Sequence, residues 1–213
     1  MSIIYEATIT PSKLDMMAAW LPQQDWFTGT EPLALERVAS FRFDDPAGQV
    51  GMETLLIRSG AHTYQVPLAY RNEPLAGAED FLLGTTLHSV LGTRWVYDAT
   101  GDPLYAAALA GAVLAGDPQA NQVEHRGEER IPLPATITLT STGTLGTAVP
   151  AVQSVTAHTV GGVTTIRSGG LSIAVVRSLA DDDGTHLGAA LTGAWAGGPA
   201  AALLATASLT GPS

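Results

Sequence analysis

Three β-rich segments, residues 37–44, 50–58 and 63–71, follow one another with little more than Asp45-Pro46-Ala47-Gly48 and Ser59-Gly60 between them. A parallel crossover needs roughly a dozen residues or more, so links this short leave an antiparallel meander as the available pairing. Both links are turn-forming sequences. In the third segment Tyr64, Val66, Leu68 and Tyr70 share one face, and Thr63, Gln65, Pro67 and Ala69 share the other. Pro67 has no N–H to give to a ladder, which predicts an edge strand or a bulge.

Helices are predicted on either side of this meander. Residues 5–10 read as a first strand ending at Pro11, and Ser12 with Asp15 forms a capping-box pattern before Leu14, Met17, Ala18 and Leu21 at helical spacing. Pro22 closes that helix. A second helix is expected at residues 103–115, with Asp102 as N-cap, Pro103 at the first position and Gly116 placed for the left-handed C′ residue. A helix laid on an antiparallel sheet is an α+β arrangement.

The chain has 213 residues, of which 46% are hydrophobic and 14% charged, the balance of a folded protein. Composition shifts beyond residue 120. Residues 135–180 lack acidic side chains and are dense in Thr, Val, Ile and Gly, which predicts short strands between turns. The expected division is residues 1–118 as an α+β region and residues 119–213 as a mainly β region. Residues 187–209 read as a final hairpin around Ala196-Gly197-Gly198-Pro199, with helix as the alternative for the alanine-rich stretch that follows.

Charge excludes several partners. The formal net charge is −10, from 20 acidic and 10 basic residues, so general attraction to nucleic acid or to anionic lipid is absent. Cysteine is missing, which removes disulfides, thiol catalysis and thiolate metal sites. With no leader pattern and no long apolar run, a cytoplasmic location is expected. Lys13 is the single lysine beside nine arginines, and Ala, Gly and Thr are abundant, a composition of high-GC bacterial genomes.

The stretch Gly92-Thr-Arg-Trp-Val-Tyr-Asp-Ala-Thr-Gly-Asp-Pro103 concentrates polar and aromatic groups. Asp98-Ala99-Thr100-Gly101 faintly resembles an aspartyl-phosphate loop, but that chemistry needs a lysine or metal to neutralise developing charge. An Asx turn, with Gly101 supplying an unusual backbone angle, is the plainer reading. Asp181-Asp182-Asp183-Gly184 lacks the alternating ligands and closing Glu of a calcium loop. His62, His88, His125, His158 and His186 are scattered without metal-ligand spacing. No phosphate loop, nucleophile elbow or kinase-type His-x-Asp with a following Asn is present, so no catalytic residue, metal or cofactor is expected. Candidate ligand-binding residues are Trp20, Trp26, Arg94, Trp95, Tyr97 and Asp98. The tryptophans and Tyr97 could stack on a sugar or fill a core. Arg94 and Asp98 could meet a ligand or pair with each other.

Three segments carry a family resemblance: residues 20–27 (WLPQQDWF), residues 63–71 (TYQVPLAYR) and residues 83–103, which end in the stretch above. Together they resemble the N-terminal cap region of actinobacterial maltokinases and aminosugar kinases, over about residues 1–115. The resemblance implies a cystatin/monellin-like cap, an antiparallel sheet against helices, and a link to bacterial maltose, trehalose and glycogen metabolism. Family kinases carry their catalytic and metal-binding residues in a C-terminal lobe whose motifs are missing here. Residues 163–179 weakly resemble a nucleotide-lobe strand in which a lysine would contact phosphate, but Arg177 is the nearest cation. The expectation is a stand-alone, non-catalytic cap-like protein that binds a partner enzyme or small ligand, with residues 119–213 as a degenerate kinase N-lobe-like unit packed on the first region. The alternatives are part of a sugar kinase needing a second chain, or a carbohydrate-binding module.

Overall fold

A computed structural model describes residues 2–5, 7–29, 33–126, 129–180 and 188–210. Residues 181–184 and His186 lie outside the described residues. In chain order the elements are β1 (Ser2–Tyr5), β2 (Ile9–Thr10), α1 (Lys13–Trp20), β3 (Glu36–Phe43), β4 (Gly51–Ser59), β5 (His62–Arg71), β6 (Leu82–His88), β7 (Gly92–Asp98) and α2 (Pro103–Ala110). They continue with β8 (Gln122–Arg126), β9 (Glu129–Leu133), β10 (Ile137–Ser141), β11 (Thr156–Val160), β12 (Val163–Ser168), β13 (Leu171–Val176), β14 (Ser178–Leu179), β15 (Ala189–Trp195) and β16 (Ala202–Leu209). The result is mostly antiparallel sheet with two short helices.

The meander forms as its turns dictate. Asp45 accepts from the amides of Ala47, Gln49 and Val50 at 3.0, 2.8 and 2.9 Å. Gly48 and Gly60 take the left-handed angles that these two turns require. With β6 and β7 the meander gives the order β2-β6-β7-β5-β4-β3, and β14 adds to β5. Strand β5 is therefore central, not an edge as Pro67 suggested. Its outer side is divided: β7 pairs with Leu68 to Arg71 and β14 with Thr63 and Tyr64. The Gln65 amide on that side donates to Arg177 O at 2.8 Å, and alternate residues point the same way, so Pro67 falls in the gap between the two partners. A residue with no donor is tolerated where no acceptor waits.

Helix α1 has the expected capping box, with Ser12 and Asp15 bonding each other's backbone amides. The stripe it buries is shifted, however. Met16, Met17 and Leu21 are buried while Leu14 is 38% exposed, because Lys13 is drawn onto the sheet-facing side by Glu53 of β4. Burying each such apolar side chain is worth roughly 1.5–3 kcal/mol. After Trp20 the chain tightens into a 3-10 turn that includes Pro22. Met16, Met17, Leu21 and Trp26 pack on Leu55, Ile57, Tyr64, Val66, Leu68 and Val96, which form one face of the seven-stranded sheet.

The other face meets α2 and the second half of the chain. Asp102 caps α2, Pro103 opens it, and the helix widens at residues 111–115 before Gly116 turns left-handed at φ 72°. Phe41, Met52, Leu56, Ala69 and Tyr97 share a continuous core with Tyr105, Leu109 and Val113, and with Ile137, Ile173, Val175, Leu191 and Leu204. The last five belong to a six-stranded antiparallel sheet ordered β10-β15-β16-β13-β12-β11. Residues 189–209 are thus a hairpin, with a register shift between Leu191 and Thr192. A small third sheet joins β1 in parallel to β8, followed by β9. The strand expected at residues 5–10 is accordingly split between two sheets.

Candidate functional site

In β7 the side chains alternate, so Trp95 and Tyr97 face α2 and the six-stranded sheet while Arg94, Val96 and Asp98 face α1. Arg94 and Asp98 share a face but stand about 13 Å apart along an extended strand. They do not pair. Asp98 instead bonds Arg177 Nη2 at 2.5 Å and accepts from the Thr100 amide and hydroxyl at 3.1 and 2.9 Å. Arg177 also donates to Thr100 Oγ1 at 3.0 Å and to Thr164 Oγ1 at 2.7 Å. Its guanidinium lies 5.1 Å from the Trp26 ring centroid. The Asx turn is as expected, but Gly101 has no positive φ; it is needed because the Phe81 ring lies where a Cβ would stand.

The remaining candidates are also integrated into the packing. Asp102 receives two bonds from Arg71, at 2.7 and 2.8 Å, and caps Leu104 N at 2.9 Å. Tyr97 Oη accepts from Leu75 N at 2.9 Å. Trp95 is half-buried against the α2 core. Trp20 and Trp26 meet edge to face at 5.9 Å on the opposite side of the sheet, and Trp26 is only 8% exposed. The six residues therefore do not converge: Trp26 and Asp98 meet through Arg177, while Arg94 belongs elsewhere.

Arg94 lines a cleft of ≈ 320 Å³ on the α1 side of the sheet. Its floor is built row by row from Arg42 of β3, Gly51 of β4, Tyr70 of β5 and Arg94 of β7, which the register places on a common face. Lys13, at the start of α1, overhangs the floor. It forms a salt bridge with buried Glu53 and lies 5.3 Å from the Tyr70 ring centroid. Ile9, Val50 and Leu91 supply apolar wall. Thr86 donates to Pro11 O at 2.8 Å and ties the loop before α1 to β6.

Electrostatics in the cleft follow from burial. Desolvation pushes the Glu53 carboxyl up, but Lys13, Arg42 and Arg37 together outweigh it and hold the group below its ordinary pKa. Tyr70 is pushed well above the usual phenol value by desolvation and then by the Glu53 charge. His88 is lowered by desolvation and by Arg94 and Lys13. Its Nδ1 accepts from the amides of Val90 and Leu91 at 3.2 and 3.1 Å, so the neutral ring carries its proton on Nε2. Lys13, Arg42, Tyr70 and His88 were missed in the sequence. Alternation within each strand could have put them on a face, but register alone brings the strands into line.

Among the described residues no His, Asp and Glu cluster is arranged to hold a metal ion, and no helix is long and apolar enough to cross a membrane. A search of curated proteins finds no match to the chain. Residues 20–102 match the family model of the maltokinase N-terminal cap domain. That span contains α1's last residue, the whole meander, β6, β7 and the Asp102 cap, and it includes nearly all of the three segments on which the resemblance rests. Over residues 20–102, then, the chain is similar to the maltokinase N-terminal cap domain family.

Proposed function

We propose that this is a stand-alone, non-catalytic, cytoplasmic cap-like protein tied to bacterial maltose, trehalose and glycogen metabolism, acting by binding a partner enzyme or a small ligand. The cap match supports the metabolic link. The observation that carries the non-catalytic reading is the state of the two aspartates in the stretch that most resembled an active site. Asp98 is held by Arg177 and Thr100, and Asp102 by Arg71 and the α2 amide, so neither is placed to accept a substrate proton.

In this reading residues 1–118 form a cystatin/monellin-like cap and residues 119–213 a β-rich region docked on it through Arg177. Of the six candidate ligand residues, Arg94 is assigned to ligand contact and Trp20, Trp26, Trp95, Tyr97 and Asp98 to structure. The test is direct: purified protein incubated with magnesium ATP and maltose, glucose or glucosamine is followed by phosphorus NMR. Unchanged ATP is expected, together with recovery of an α-glucan or trehalose enzyme by the tagged protein. Appearance of a sugar phosphate would overturn the reading.

A further inference from the structure

We propose that the cleft over the α1 face of the sheet is a binding site for a small oxyanion, a phosphate or carboxylate head group on a compact molecule. This deepens the small-ligand reading above, and its test is independent of whether a partner enzyme binds.

The inference rests on where cations stand and what they touch. In a chain of net charge −10 with 10 basic residues, three of those ten line one cleft. Lys13 is neutralised by Glu53. Arg42 feels the Glu53 charge across the β3–β4 register, but among the described residues neither it nor Arg94 makes a salt bridge, and the one side-chain bond of Arg94 goes to the neighbouring Thr93 carbonyl at 3.2 Å. Arg42 Nε and Tyr70 Oη are shielded from solvent and have no hydrogen-bond partner among the described residues. A donor held out of water without an acceptor is costly, and a turn of the Arg42 side chain toward an oxyanion in the cleft relieves that cost. Guanidinium groups suit this role because their planar forks match carboxylate and phosphate oxygens.

Shape agrees with charge. Gly51 has an ordinary backbone angle, so glycine is not demanded there by conformation. Its missing side chain leaves open floor between Arg42 and Tyr70, where an added Cβ would lie 3.5 Å from Arg42 Nη2 and 3.6 Å from the Tyr70 ring. A volume of ≈ 320 Å³ is at the small end of ligand pockets, which run from about 300 Å³ upward. The rim sets an upper limit on charge. Asp45 is engaged by three backbone amides, and Asp44 stands beside it, so an extended polyanion would meet two carboxylates at the mouth.

The experiment is a titration of the full chain by amide and arginine-side-chain NMR at constant ionic strength. Probes are inorganic phosphate, malonate and, as an uncharged control, glucose. Saturable shifts at Gly51, Arg42 and Arg94 are expected with an anion and not with glucose. Phosphate alone would assign a phosphorylated ligand, malonate alone a carboxylated one, and both a general oxyanion site. Arg42→Gln and Arg94→Gln should each weaken binding about tenfold, the loss of one charge-assisted contact. Gly51→Val should abolish it by filling the floor without altering charge, while Arg58→Gln, at an exposed pair with Glu36, should change nothing. No saturable shift with either anion, or undiminished binding in the two glutamine variants with their spectra still folded, would overturn the proposal.

Discussion

Arg177 is the residue whose surroundings explain most about how the two halves of the chain meet. It is 1% exposed and is held by Asp98, Thr100 and Thr164, with the Trp26 ring against its guanidinium. Removing one partner of a buried ion pair strands the other charge, which typically costs about 3–5 kcal/mol. Asp98→Ala should therefore lower stability by that order in urea titration, whereas Arg58→Ala, which breaks a pair of exposed side chains, should cost under about 1 kcal/mol. Equal effects would mean the buried pair is not what joins the halves. This pairing was not legible in the sequence. Local spacing offered Arg94 as the partner of Asp98, but a strand separates residues four apart too far to touch. The true partner lies 79 positions away and is brought near by the sheet.

Elements were read most reliably where their signals are local. The capping box of α1, the Asp102–Pro103 start and Gly116 end of α2, and the turns of the meander each involve a few neighbouring residues whose backbone chemistry is the same in any fold. What failed was tertiary in origin. Pro67 sits in a central strand because β7 and β14 divide that strand's edge, and α1 buries Met17 and Leu21 as expected but takes in Met16 in place of Leu14 because Lys13 reaches Glu53. That contact ties α1 to β4 and has a pH signature. Glu53 is held below its ordinary pKa in the folded chain, so the unfolded chain binds more protons across the interval between the two values. The contribution is complete above the unfolded-state value and is lost as pH falls through the folded one. Urea midpoints should decline across that acid window. Lys13→Gln removes the largest influence opposing desolvation, so it should lower stability at neutral pH and flatten the acid decline. An unchanged acid profile in the variant would show that the Lys13–Glu53 contact is not stabilising.

At the scale of the whole molecule, the six-stranded sheet covers one face of the seven-stranded sheet. Residues from 39 to 114 and from 137 to 207 contribute to one buried cluster, with α2 between the two sheets. One face of the seven-stranded sheet is thereby closed, and the cleft with Arg42 and Arg94 lies on the other. The composition change near residue 120 indicated where β-rich sequence begins, but it carried no information on what that sequence packs against. Because the second half completes the core of the first, it decides which surface is left for ligands. Tryptophan placement makes it measurable: Trp20, Trp26 and Trp95 report on the first half and Trp195 on the second. Urea unfolding of two variants, one retaining only Trp195 and one with Trp195 replaced by Phe, should give coincident transitions once each is normalised to its own far-ultraviolet circular dichroism. Two separated transitions, with the Trp195 signal lost while the other tryptophans stay folded, would contradict the account.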